Sequence, residues 1–310
     1  EGISLIQLIQ HVELSEYAIH VLLDMGLSMG IFWCKDDRYR LDKTGYFLLH
    51  DDMAAKNLNF IHDVCYQGLF DLDDSLKQGK AIGLKHFGDW DTIYPGLSQL
   101  PEQTKKSWFE FDHYYSDHAF DSLLPLIFKS DPAHIIDVGG NTGKWAFACT
   151  RYNKNVNVTI MDLPGQLAVA MKNAQACLVA DRVHPFETDL LDNNKPFYQG
   201  GDLYWMSQFL DCFSKQQIIT ILQRTVAAMK PDSELCILET YWDRQPHEAG
   251  AYCVNATSLY FTAIANGNSR MYHSKDMLKM INEAGLYVDE DIDNIGLGHT
   301  LLRCKLKPMN

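Results

Sequence analysis

The sequence predicts an α/β protein: a parallel, doubly wound sheet in its second half, preceded by a mostly helical domain that carries a two-stranded wing. Three observations point there. From His134 onward, short strand-like runs alternate with helical periodicity, the pattern of a parallel sheet with crossover helices. Before about residue 130 the texture is helical and is broken by one hairpin signal. Where the two regions meet, "HIIDVGGNTGKW" (His134–Trp145) reads as strand, glycine-containing turn and helix start. The 310 residues suit about two domains.

Taken in order, "EGISLIQLIQ" already has the texture of a helix interior, so further sequence is expected upstream. "SEYAIHVLLDMGL" reads as a helix capped by Ser15, with Ala18, Leu22 and Met25 on its apolar face. "IFWCKDDRYRL" alternates on both sides of "KDD" and predicts a hairpin; helix followed by hairpin is the winged-helix pattern. The aromatic-rich stretch from Pro101 to Phe128 is expected to be one long helix, with Trp108, Phe111 and Tyr115 on one face.

After "HIIDV" come a helix ("WAFACTRY"), a strand ("VNVTIMD") and a helix entered through Pro164. Further strands are "RVHPFETD", "DLYWMS" and "ELCILETY". A helix capped by Ser214 and closed before Pro231 separates the last two. Helical "GAYCVNATSLYFTAIAN" and "SKDMLKMINEAG" precede two terminal strands, "LYVDEDI" and "HTLLRCKL".

Composition excludes several classes. The apolar share of 46% with 22% charged residues is that of an ordinary globular chain. A formal net charge of −13, with no dense Lys/Arg cluster, argues against nucleic acid and anionic membranes as partners. The longest apolar runs fall far short of the roughly 20 residues of a membrane span, and no secretion signal opens the sequence. Eight cysteines form no CxxC pair, so no metal site is expected. Free thiols in a reducing cytoplasm account for them.

In an open α/β sheet, ligands bind beyond the carboxyl ends of the strands, by default at the first strand–helix turn. Here that turn is Asp137-Val138-Gly139-Gly140-Asn141-Thr142-Gly143. It fails the dinucleotide pattern, whose glycines would fall on Gly139, Asn141 and Lys144. It fails the P-loop pattern because Trp145 follows Gly143-Lys144. What remains is a strand-end acid and small residues that let a ligand approach the backbone. Asp162 ends the next strand at the spacing of a ribose-binding acid, and Asp189 follows the third strand, suited to an adenine amino group.

These residues resemble a family: class I S-adenosylmethionine-dependent O-methyltransferases with an N-terminal winged-helix dimerisation domain. "IIDVGGNTG" resembles the family's "VVDVGGGTG", "IMDLPGQL" its "FDLPHVI", "ETDLLD" its "GDMFE" and "CILETY" its "LIIE". "DRYRLDKTGYFLLHDD" resembles the family's wing, and "LKHFGDWDTIYPGLSQLPEQTKKSWFE" its helical bridge.

The resemblance implies a Rossmann-like sheet of seven strands, the last antiparallel, and a homodimer. It divides the chain into a dimerisation domain (1–100), a bridging helix (101–130) and a methyltransferase domain (131–310). Asp137, Gly139, Gly140, Asn141, Gly143, Asp162, Leu163, Asp189, Leu190 and Ser207 become the expected contacts of S-adenosylmethionine. His113, Met206, Phe209 and Tyr260 become expected walls of a pocket for a small aromatic or hydroxylated acceptor.

The sequence departs from the family at its catalytic positions. The family's general-base His is matched by Asp211, the following acid by Cys212, and its lysine by Ser207. Its second hinge glutamate is matched by Ser269, while Glu239 keeps the acidic type. Asp211 and Glu239 are therefore the expected catalytic pair. Asp211 serves as base, as orienter, as a seat for an amine, or merely as a cap for the helix near Ser214. A carboxylate with an ordinary pKa near 4 is a weak base toward a phenol near 10. His113, His118 and His273 are further candidate bases. Two rivals stay open: the same fold binding the cofactor without standard methyl transfer, and a winged-helix regulator that senses a metabolite.

Overall fold

The computed structural model describes residues 2–308. The chain divides between His62 and Asp63 into two compact units. In the first, β1 (Ile3–Ser4) leads into α1 (Leu5–His11) and then α2 (Glu16–Ser28). Ser15 caps α2, its hydroxyl accepting from the Ala18 N–H at 3.2 Å. The hairpin forms as β2 (Phe32–Lys35) and β3 (Arg38–Leu41), with Asp36 and Asp37 at φ 50° and 51°. Two positive φ values in a two-residue loop match the twist of the flanking strands. β1 pairs with β3 as a third strand. Helices α3 (Lys43–His50) and α4 (Asp52–Phe60) complete the unit.

One expectation in this unit is corrected. The stripe of α2 that is buried is Ile19, Leu23 and Gly26, not Ala18, Leu22 and Met25. Gly26 faces the Phe32 ring closely enough that a Cβ would lie 2.3 Å from it. The hairpin thus selects the inward face, and Leu22 and Met25 remain 58% and 55% exposed.

The second unit opens with short helical turns and α5 (Leu72–Gln78). The sequence puts the first domain boundary near residue 100, but residues 63–100 belong to this unit. Leu84, Ile93, Leu97 and Leu100 are buried, and the Ile93 N–H donates to the Ala265 carbonyl at 2.8 Å. Burial against a segment 170 or so residues downstream leaves no trace in local texture.

The expected single helix from Pro101 to Phe128 is two, α6 (Glu102–Asp117) and α7 (Phe120–Ile127). The chain bends at His118–Ala119. Ala119 is fully buried there, and α7 turns its Leu123, Leu124 and Ile127 into the core.

The alternating region then follows as β4 (His134–Val138), α8 (Lys144–Tyr152), β5 (Asn157–Asp162), α9 (Pro164–Ala176), β6 (Val183–Glu187), β7 (Leu203–Ser207), α10 (Lys215–Ala228), β8 (Glu234–Glu239), α11 (Glu248–Tyr260), α12 (Ser274–Glu283), β9 (Leu286–Ile295) and β10 (His299–Leu306). The sheet order is β6-β5-β4-β7-β8-β10-β9. Strands β4 to β8 pair in parallel, and β10 runs antiparallel between β8 and β9. This is the seven-stranded arrangement the resemblance implies.

Both faces of the central strands are covered, which is why they read as continuous apolar runs. One face packs Ile136, Tyr204 and Ile237 against α10 and α12; the other packs Ile135, Trp205 and Leu238 with residues of α7, α8 and α9. Strand order reverses between β4 and β7. The crevice beyond their carboxyl ends is therefore the site this topology offers a ligand.

Candidate functional site

The turn after β4 is held by close approach. Gly139 has φ +74°, and a Cβ there would lie 2.3 Å from the Phe209 ring. A Cβ on Gly140 would lie 2.5 Å from Asp137 Oδ2. Glycine is thus required at both positions by contacts on opposite sides of the turn. Asn141 takes φ +50°, a region Asn tolerates better than most residues. Its N–H donates to Asp162 Oδ2 at 2.8 Å, and the Leu163 N–H donates to Asp162 Oδ1 at 2.7 Å. Two main-chain donors thereby orient the Asp162 carboxylate at the end of β5.

Asp137 is only 3% exposed, and its Oδ2 has no hydrogen-bond partner among the described residues. Burial, with the Asp162 charge adding to it, pushes its carboxyl up to about 8. Burial also pushes Asp162 up to about 6, against the pull of its two main-chain donors. A buried acceptor without a partner costs free energy, so such a group marks a place where a ligand donor fits.

The second edge of the crevice is the loop after β7. Gln208 takes φ +47°, and its side chain meets His299 Nε2 at 3.0 Å. Glu239, ending β8, accepts from the Phe209 N–H at 3.0 Å and the Leu210 N–H at 2.7 Å through Oε1. Its Oε2 has no partner among the described residues. Burial and then the Asp211 charge hold the Glu239 carboxyl well above the usual range. Asp211 is half-buried, its Oδ1 accepting from the Cys212 thiol at 3.5 Å, and burial raises its carboxyl too.

Helix α6 supplies the third side. Asp112 Oδ2 accepts from the Asn141 side-chain amide at 3.4 Å. His113 Nε2 lies 3.2 Å from Thr142 Oγ1 and its Nδ1 3.7 Å from Asp117. The Trp108 indole donates to the Tyr260 hydroxyl at 2.7 Å. Asn266 follows a π-helical turn (Phe261–Ala265) and donates to the Cys212 carbonyl, Ser269 Oγ and the Tyr94 hydroxyl at 2.8, 2.7 and 3.2 Å. Such π turns recur at functional sites.

The structure thus places Asp137, Gly139, Gly140, Asn141, Asp162 and Leu163 at the glycine turn, Ser207, Phe209, Asp211 and Glu239 at the β7 loop, and Tyr260 beside α6. Gly143 caps α8 beside Phe147. Ser207 brings a buried hydroxyl with no partner among the described residues. Asp189 is exposed, and its Oδ1 accepts from the Leu191 N–H at 2.9 Å, so it stands at the rim; Leu190 packs into the core.

Met206 is corrected. It is fully buried among Tyr204, Leu210 and Ile237, because strand alternation turns it into the core rather than toward a pocket. Glu239 holds the loop through one oxygen, Oε1, which positions Phe209 and Leu210, and its Oε2 is left without a partner among the described residues. His113 reaches the glycine turn rather than the β7 loop. His118 is exposed against Tyr114, and His273 caps α12 beside Asp243, so neither enters the site. Sequence reasoning missed Asp112, Tyr94 and His299. Nothing local distinguishes them from neighbouring helix, loop and strand residues.

A family model described as an O-methyltransferase domain matches residues 120–287, and a Dimerisation2-like domain matches residues 1–39. The L-tyrosine C(3)-methyltransferase of Streptomyces lavendulae is 20% identical over 288 residues, covering 92% of this chain and 77% of that protein. The demethylspheroidene O-methyltransferase of Rhodobacter capsulatus is 23% identical over 285 residues, covering 90% and 67%. Among solved structures, the O-methyltransferase of neocarzinostatin biosynthesis is similar in fold. It was solved in complex with S-adenosylmethionine and 2-hydroxy-5-methyl naphthoic acid. Its TM-score is 0.76 at 16% identity, with 98% of this chain and 89% of that one covered.

Proposed function

The chain belongs to the O-methyltransferase family and is a methyltransferase; from that premise we propose that it uses S-adenosylmethionine to methylate a small aromatic or hydroxylated acceptor, on oxygen. One observation carries this reading: the pair of strand-end carboxylates around the turn, Asp137 with an unpartnered buried oxygen and Asp162 fixed by two main-chain donors. An ammonium group answers the first and a ribose diol the second. Gly139 and Gly140 let the turn close on Phe209 and Asp137, Leu163 flanks the adenosyl side, and Asp189 stands at its rim. Bound there, the cofactor supplies an electrophilic methyl group.

The chain's own residues then act by placement. Glu239 fixes the backbone that carries Phe209 and Asp211, and Phe209 lies over Gly139, so the acceptor loop and the cofactor turn are one packed unit. Asp211 orients the acceptor through its charge. Even raised by burial, a carboxyl stays far more acidic than a phenol near 10, so proton removal is the smaller part of its work. Placing donor and acceptor in contact contributes several kcal/mol by itself. Helix α6, through Trp108, and Tyr260 wall the acceptor side.

A carbon target is the second reading, favoured by the name of the tyrosine C(3)-methyltransferase, whose match spans 92% of this chain. We read the first unit as a homodimerisation element. The Dimerisation2-like match and the exposed apolar side chains Ile6, Tyr17, Leu22 and Met25 support it. The eight unpaired cysteines support a reducing, cytoplasmic setting, and no described helix is long and apolar enough to cross a membrane.

Calorimetric titration with S-adenosylhomocysteine, beside an Asp162→Ala variant, tests the cofactor. Wild-type binding weakened by about ten- to a hundredfold in the variant is expected, the worth of one or two charge-assisted hydrogen bonds. Absence of wild-type binding overturns the proposal. Mass spectrometry and NMR of products from a phenol panel then locate the methyl group.

A further inference from the structure

Helix α6 holds the glycine turn side chain by side chain. We propose that this clasp orients the turn for the cofactor: Asp112 and His113 are positioning residues, and Asn141, turned by Asp112, offers its side-chain oxygen to a donor group of the cofactor. The inference rests on the reading of the turn as the S-adenosylmethionine site and adds a polar contact to it.

The contacts run in chain order along both segments. Asp112 Oδ2 accepts from the Asn141 side-chain amide at 3.4 Å, His113 Nε2 lies 3.2 Å from Thr142 Oγ1, and Asp117 Oδ2 accepts from Lys144 Nζ at 2.6 Å. From α9, Asn173 donates to the Thr142 carbonyl at 3.2 Å, and the Asn141 N–H donates to Asp162. Residues 141 and 142 are thereby fixed through both main chain and side chain. The Lys144–Asp117 pair sits at the surface, where an ion pair contributes little, so the inner two contacts form the clasp. Burial holds His113 below its ordinary value, so in neutral solution an uncharged ring meets Thr142. Farther along α6, the bond from Trp108 to the Tyr260 hydroxyl pins the same helix a second time.

Asn141 supplies the independent sign. Its φ of +50° suits glycine best, and the resembling family sequence has glycine there. A glycine offers Asp112 nothing to hold. An ionised carboxylate only accepts, so Asp112 selects the amide nitrogen of Asn141 and turns the amide oxygen the other way. That oxygen, Oδ1, is buried and has no partner among the described residues. Asp137 Oδ2, on the same turn, is another such acceptor. Buried acceptors are paired in folded proteins, so two unpaired oxygens in one turn suit a ligand group with several donor protons. The ammonium group that answers Asp137 is such a group.

The test is calorimetry with S-adenosylhomocysteine on the full chain, well below its unfolding temperature, with Tm measured for every variant. Asn141→Gly suits the backbone, yet it should bind about three- to tenfold more weakly. Asp112→Ala should lose a similar factor in the wild-type background and less than about twofold in the Asn141→Gly background, where no amide remains to be turned. Asp112→Asn keeps an acceptor oxygen and should recover most of the affinity. His113→Leu should weaken binding about threefold, and His113→Gln, an uncharged polar side chain, should restore it.

Wild-type affinity in Asn141→Gly overturns the inference, as do equal losses from Asp112→Ala in both backgrounds. A lowered Tm with unchanged affinity also overturns it, because that is the mark of a helix contact that only stabilises the fold. Should Asp112→Ala fail to fold, Asn141→Gly decides alone, since glycine is at ease at this φ. If the wild type does not bind S-adenosylhomocysteine, the cofactor reading falls and takes the clasp with it. Wild-type binding without loss in the variants strikes the clasp alone.

Discussion

Gly139→Ala is the substitution that most directly tests the coupling between the glycine turn after β4 and the loop after β7. Two costs follow from the structure. Gly139 has φ +74°, which costs an alanine about 1–2 kcal/mol. Its new Cβ would lie 2.3 and 2.6 Å from Phe209 Cδ2 and Cε2, so the ring must move. That ring packs edge-on against Phe213 at 4.8 Å, and overpacking of this kind costs about 1–3 kcal/mol. The sum is about 2–5 kcal/mol, a fall of about 10 °C in Tm for a domain of this size.

Urea and thermal unfolding measure the loss, and calorimetry with S-adenosylhomocysteine measures its effect on the turn. The discriminating experiment is the cycle with Phe209→Ala. Removing the ring removes the clash but not the backbone strain. The double variant should therefore be more stable than the sum of the single losses by about 1–3 kcal/mol. Additive losses would refute the claim that Gly139 is glycine because of Phe209. An unchanged Tm in Gly139→Ala would refute both costs.

Three further outcomes are expected. Asp137 is neutral below about 8 and ionised above, so affinity for S-adenosylhomocysteine should rise as pH climbs from about 6.5 to 8.5, and Asp137→Asn should flatten the profile. The same raised carboxyl stabilises the free protein most below its unfolded value near 4, and that contribution is lost as pH rises through about 8. Tm should fall over this range in the wild type, and less in Asp137→Asn. Glu239→Ala leaves two loop N–H groups without their acceptor and should cost roughly 2–6 kcal/mol in urea unfolding. Glu239→Gln keeps a carbonyl acceptor and should cost clearly less; equal losses would show that its charge, not its hydrogen bonding, holds the loop. Arg303, 3% exposed, donates to Glu234, Glu290 and the Leu126 carbonyl, tying β10 to α7. Arg303→Ala should cost about 2–3 kcal/mol by removing the nearest cation from Glu234, which keeps Ser130 and the longer Lys305 contact, a loss that calorimetric unfolding would register.

The elements that were legible in the sequence share one property: their signal is local. The strands from His134 to Glu239 are apolar because both faces are covered, and they sit where the apolar runs sit. Ser15 and Ser214 cap the helices they precede because a cap bonds within three residues; Ser214 even forms the reciprocal box with Gln217. The two-aspartate hairpin turn and the glycine turn are local in the same way. So are the strand-end acids Asp137 and Asp162, whose place follows from strand length and spacing alone.

What the tertiary structure decided is which way residues face and what they meet. Leu22 and Ile19 are both apolar on α2, and the fold buries Ile19, on the face where Gly26 meets Phe32. Met206 and Ser207 are neighbours on β7, and the pleat sends one into the core and the other to the crevice. The boundary at His62, the bend at Ala119 and the approach of Asp112 to Asn141 all depend on partners far along the chain. Glu239 kept an acidic residue type in the sequence, but its hydrogen bonds to Phe209 and Leu210 exist only once β7 and β8 pair. The sequence by itself determined the order of elements and the chemistry available at the strand ends, because both rest on short-range periodicity and spacing. The arrangement of that chemistry was decided by packing, which alone brings α6, the β7 loop and the glycine turn together.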